Sequence, residues 1–139
     1  MTSIVWRKTS PLPPLQVAVD HYGLQCAIIG QNVFLVRWEW AVGCDPVFIY
    51  NIARGSWNIH SWSPIHFAAL TTYHSQLVLI GGQEKSTRRV TNTVLVWQEG
   101  EWHPSLPPMT VARCNASAVN SGDLIIVAGG LVISPQSLT

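Results

Sequence analysis

The chain has 139 residues and a formal net charge of +1, so it carries no strong field that would draw nucleic acid or an anionic membrane surface. Charged residues make up 11%, against about 25% in an ordinary domain, while hydrophobic residues make up 47% and include seven tryptophans. A chain so poor in charge is expected to fold as short strands in sheets covered on both faces. The first residues show no charged-then-apolar secretory pattern, and no apolar run approaches the ~20 residues needed to span a bilayer.

In chain order, Trp6 leads into a proline-rich phrase, Pro11-Leu12-Pro13-Pro14-Leu15. Residues 28–38 form an aliphatic run closing on Arg37-Trp38, and 47–50 read as a further strand. Trp57 follows, then Trp62-Ser63-Pro64 as a remnant of the proline phrase. Residues 71–82 are β-branched and aliphatic and end on the doublet Gly81-Gly82, which opens into the polar loop 83–89. Next come the strand 94–97, the polar segment 98–101 as a tight hairpin, Trp102, and a second phrase, Leu106-Pro107-Pro108-Met109. Residues 119–130 repeat the aliphatic run and end on Gly129-Gly130.

The run endings at 37, 81 and 129 are separated by 44 and 48 residues, and Trp6, Trp57 and Trp102 by 51 and 45. Each unit reads as strand, hairpin, strand with doublet, loop, strand, turn, tryptophan-bearing strand, proline loop. Four strands in about 45 residues is the size of one propeller blade. A glycine pair closing a strand provides positive φ or close backbone approach. A tryptophan on the outer strand offers area to bury against the next sheet, with Tyr50 or Trp97 beside it as a cross-strand partner. The prolines at 11, 13, 14, 64, 104, 107 and 108 belong in connections or at strand margins.

These residues resemble the kelch repeat: the doublets Gly81-Gly82 and Gly129-Gly130, Tyr50 ahead of Trp57, and Pro108-Met109 followed by Arg113. The resemblance implies an all-β fold of kelch-type β-propeller blades, with approximate units 6–57, 57–102 and 102–139. That makes two full four-stranded blades and a partial third, an incomplete ring beside the about four to eight blades of a closed propeller. Three arrangements suit such a chain: a fragment of a longer kelch protein, a ring closed by several copies, or an open arc. The ending at residues 131–139 falls where the third blade's outer strands are due and favours the fragment. The first unit departs from the pattern at Arg37-Trp38, and the second has Ile65-His66-Phe67 where an arginine is due.

Function in that family implies a non-catalytic protein-interaction module, a scaffold or adaptor that presents loops to a protein or peptide. The loop after the doublet carries Glu84, Lys85, Arg88 and Arg89, its first-unit counterpart is the segment 39–45, and Arg113 holds the family's arginine position. Guanidinium forks at 88, 89 and 113 suit an acidic partner. The alternative implied by the resemblance is part of a carbohydrate-active oxidase or epimerase. No catalytic set supports it: Asp20-His21 have no nucleophile turn, and Gly81-Gly82 lead into no phosphate-cradling helix. His60, His66, His74 and His103 lack convergent metal spacing, so neither metal nor cofactor is expected. His74 is expected in a turn and the others at polar strand margins. Cys26, Cys44 and Cys114 form no CxxC pattern and read as reduced, packed thiols, which points to the cytoplasm.

Overall fold

The computed structural model describes residues 3–6, 8, 11, 24–38 and 45–132. The phrase at 12–15, the segment 39–44 with Cys44, and residues 133–139 lie outside them. Twelve strands are present among the described residues, and no helix. They are β1 (Leu24–Ile29), β2 (Asn32–Arg37), β3 (Asp45–Asn51), β4 (Ser56–Ser63), β5 (Ile65–His66), β6 (Ala69–Tyr73), β7 (Gln76–Ile80), β8 (Gln83–Glu84), β9 (Val94–Gln98), β10 (Glu101–His103), β11 (Ser117–Ser121) and β12 (Leu124–Ala128). The protein is all-β. Its first sheet has the order β1-β2-β3-β4 and its second the order β6-β7-β9-β10. A hairpin, β11-β12, follows the same plan, and β5 pairs with β8.

Turn chemistry explains the tight connections. His74 and Ser75 both have positive φ between β6 and β7, as do Glu99 and Gly100 between β9 and β10. Two-residue loops of that shape match the twist of paired strands. The loop before Trp57 runs from 52 to 55, two residues longer. The aromatic pairs expected across the outer strands are present: Tyr50 lies opposite Trp57 and Trp97 opposite Trp102. Their rings sit 4.9 and 5.2 Å apart.

Strand alternation assigns the faces. Phe34, Val36 and Val47 of the first sheet form one apolar cluster with Leu70, Leu77 and Leu79 of the second, and Trp97 and Trp102 pack against it. The intervening residues Val78 and Ile80, with Val94 and Val96, form another cluster that receives Ala118, Ile125 and Val127 from the hairpin. The second sheet is thus covered on both faces, as the low charge requires. Fully burying one such aliphatic side chain contributes about 1.5–3 kcal/mol, so these two seams dominate the stability.

The units also repeat in backbone detail. Phe67 and Asn115, 48 residues apart, have φ of 55° and 56°, and the Asn115 N–H donates to the Phe67 carbonyl at 2.9 Å. The first strands of successive units lie side by side, with β6 close to both β1 and β11. Gln25 of β1 reaches across to the Ala116 carbonyl, 3.3 Å away.

Several expectations need correction. Trp6 is 91% exposed and lies outside any strand, because an indole on an outer strand is buried only where another sheet stacks on it, and no described strand precedes β1. Trp57 is half-buried, not wedged between sheets. It packs on Tyr50 and Phe48, on the face of the first sheet turned away from the second. At the doublet position of the first unit, Arg37 and Trp38 are both buried. The Arg37 guanidinium lies 5.1 Å from the Phe48 ring centre, and the Trp38 indole packs 6.2 Å from Phe67. Cys26 is exposed rather than packed, since it falls on that same outer face; Cys114 is buried.

Candidate partner-binding surface

The second doublet strand ends by turning sharply. Gly81 and Gly82 have φ of +66° and +101°. A side chain at Gly82 would stand 2.5 Å from the His66 carbonyl and 3.0 Å from the Ala68 nitrogen. The Gly82 N–H donates to the Arg113 carbonyl and the Thr91 N–H to the Gly82 carbonyl, both at 2.9 Å. Both properties expected of the doublet, positive φ and close approach, are used at both residues, since a side chain at Gly81 would meet the Arg113 carbonyl. The chain is thereby aimed into β8, whose pairing with β5 forms the base of the loop.

The loop itself is stiffened by its own hydrogen bonds. The Glu84 N–H donates to the Arg89 carbonyl at 2.8 Å and the Arg88 N–H to the Glu84 carbonyl at 2.9 Å. The Gln83 amide donates to the Arg88 carbonyl at 2.8 Å. The Thr87 hydroxyl donates to Glu84 Oε2 at 2.6 Å. Arg88 and Arg89 are exposed at the tip, Arg88 at φ 61°. Glu84 is half-buried and serves the turn. Lys85 turns inward: its Nζ donates to the Ser63 carbonyl at 2.7 Å and stands 3.5 Å from Asp45 Oδ2.

Arg113 joins the same end of the sheets through its backbone, which bonds to Gly82 and Thr91. Its Nη1 donates to the Gly129 carbonyl at 3.1 Å, and its Nε finds no acceptor among the described residues. The structure thus gathers Arg113 and the base of the loop, exposes Arg88 and Arg89, and commits Lys85 to the interior.

The interior group was not legible in the sequence. Asp45 is fully buried, and its Oδ2 lies 2.5 Å from Nδ1 of the buried His66. Burial holds the His66 pKa below its usual value; Asp45 opposes this and Lys85 adds to it. Asp45 starts β3 and faces Ser63 of β4, His66 sits in β5, and Lys85 follows β8. No spacing links these three, and only the docking of β5 and β8 beside the first sheet brings them together. His66 is therefore a buried partner of the Asp45 carboxylate rather than a margin histidine. His60 likewise packs between Phe34 and Trp97, at 5.1 and 5.0 Å, and burial lowers its pKa. His74 occupies its expected turn.

A groove of about 240 Å³ opens between the second sheet and the hairpin, lined by Tyr73, Val94, Leu106, Met109, Ile125 and Val127 among others. It is mostly apolar. Among the described residues no group of three or more His, Cys, Asp or Glu is placed to hold a metal ion, and no helix is long and apolar enough to cross a membrane.

No protein-family model matches the chain, and neither does any curated protein. Among solved structures the chain is similar to that of YjhT, with a TM-score of 0.62 and 14% identity over 79% of this chain. At that identity the likeness is one of fold. The chain spans 38% of the length of that protein.

Proposed function

We propose that the chain forms kelch-type β-propeller blades and works as a protein-interaction module with no chemistry of its own. Two four-stranded meanders and a hairpin, each with its first strand beside its neighbour's, support the blade reading. So does the likeness in fold to YjhT. The interaction reading rests on one observation above the rest: a loop held rigid by its own hydrogen bonds carries two adjacent exposed arginines at its tip. Rigid presentation lowers the ordering cost of binding, and guanidinium forks favour carboxylates. The partner is then an acidic protein segment, contacted by Arg88 and Arg89 with Arg113 at the border.

A fluorescent glutamate-rich peptide tests this by anisotropy. Replacing Arg88 and Arg89 together with alanine should weaken binding by about tenfold or more while leaving the melting temperature unchanged. Unaltered binding refutes the assignment, as does equal weakening by a control change at exposed Lys8.

A further inference from the structure

Asp45, His66 and Lys85 meet where the loop 83–89 joins the first sheet. Asp45 opens β3 and His66 lies in β5, both buried; Lys85 follows β8, its side chain 26% exposed. Two basic groups share one carboxylate oxygen: Asp45 Oδ2 is 2.5 Å from His66 Nδ1 and 3.5 Å from Lys85 Nζ. With His66 neutral, one anion balances one cation, and the ammonium moors the loop to the first sheet through Asp45 and the Ser63 carbonyl.

A proton on His66 upsets that balance. The site then holds two cations against one anion, away from bulk water, where charges act on each other strongly. The histidine is enclosed and fixed in its strand opposite Gln83. Lys85 comes in from the solvent side on a flexible stem, so it is the group able to withdraw. The coupling also runs in the other direction: Lys85 lowers the His66 pKa, and coupling between two sites is reciprocal, so a charged His66 loosens Lys85 by the same factor. Asp45 and Lys85 are the charged groups that act on His66 among the described residues. Its other neighbours are the uncharged Gln83 of β8 and the Phe67 ring, while Glu84 of β8 accepts from the Thr87 hydroxyl. The second buried histidine, His60, packs between Phe34 and Trp97 in the seam between the sheets.

We infer that the loop is held by an acid-released latch: proton uptake by His66 displaces Lys85 from Asp45 and frees the base of the loop. Burial keeps His66 neutral down to a pH below its ordinary value of 6.5, so the latch is shut at neutral pH and opens as the pH falls beneath that value. Arg88 and Arg89 then lose their fixed setting, and a partner bound at neutral pH is released in acid. This release rests on the arginine loop being the partner site. The latch itself does not, and it is read without any peptide, so the two fail separately.

Amide hydrogen exchange, corrected for the intrinsic effect of pH, is the test. Between pH 7.5 and pH 5 the amides of Glu84, Arg88 and Arg89 should lose about tenfold more protection than those of Val78 and Leu79 in β7. His66→Gln should abolish that difference. In Lys85→Met, the His66 ring signals should titrate at a higher pH than in the wild type, and this shift decides alone should His66→Gln fail to fold. Loop protection that falls only in step with β7, a loop effect that survives in His66→Gln, or an unmoved His66 titration in Lys85→Met overturns the inference.

Discussion

The glycine doublets make the sharpest quantitative prediction, because three of their four positions are crowded and Gly129 is open. At Gly82 an alanine would combine φ of +101° with a Cβ 2.5 Å from the His66 carbonyl and 3.0 Å from the Ala68 nitrogen. Positive φ costs an L-residue about 1–2 kcal/mol, and forcing backbone apart in a packed region adds about 1–3 kcal/mol. Gly82→Ala should therefore destabilise by about 2–5 kcal/mol. At Gly122, φ is +59° and no atom lies within 4 Å of the added Cβ. There the φ term stands alone and is partly offset by the stiffer unfolded chain, leaving about 1 kcal/mol or less. Gly130 repeats the crowding of Gly82, with the Cys114 carbonyl at 2.6 Å, and should behave like it; Gly129 is open and should behave like Gly122. Urea unfolding followed by tryptophan fluorescence reads the difference. With a slope of about 2 kcal/mol per molar, the crowded variants should lose about 1 M or more in midpoint. Equal losses at Gly82 and Gly122 would refute the argument that close approach, rather than φ, fixes the second glycine of each pair.

Two further predictions concern the buried charges. Asp45→Ala removes the partner of both His66 and Lys85 and should cost about 3–5 kcal/mol. Lys85→Met leaves the Asp45–His66 contact in place at a site open to water on one side, and should cost about 1 kcal/mol; the reverse order in urea unfolding would contradict the geometry. His60 and His66 both have pKa values lowered by burial. The unfolded chain therefore takes up protons more readily as pH falls below about 6.5, and stability present above that value is lost as pH drops through the lowered folded values. The melting temperature should fall between pH 7.5 and pH 5, and His66→Gln should reduce the fall. A temperature that is flat or higher at pH 5 would contradict the burial of these rings.

The inward turn of Lys85 changes how the loop works. Its ammonium ties the base of the loop to the first sheet through Ser63 and Asp45, while the arginines at the tip face outward. Lys85 anchors the loop, and Arg88 and Arg89 stay exposed at its tip. Arg113 also has a structural tie, since its bond to the Gly129 carbonyl joins the second sheet's exit to the hairpin. An alanine there should lower stability by about 0.5–1.5 kcal/mol as well as altering any partner contact.

Local chemistry alone determined the strands, the hairpins and the doublets. Alternation of side chains, positive φ at short turns and aromatic partners on adjacent strands all act over a few residues, and each left a readable mark. Tyr50 facing Trp57 and Trp97 facing Trp102 followed directly from that. Burial is different, because it depends on which sheet comes to lie over which. Trp57 and Trp102 occupy equivalent strands, yet among the described residues a sheet stacks on Trp102 alone, and Trp6 stands in solvent. The meeting of Asp45, His66 and Lys85 depends on the docking of two short strands far apart in the chain. Charge interactions act through space rather than along the chain, so no periodicity could announce them.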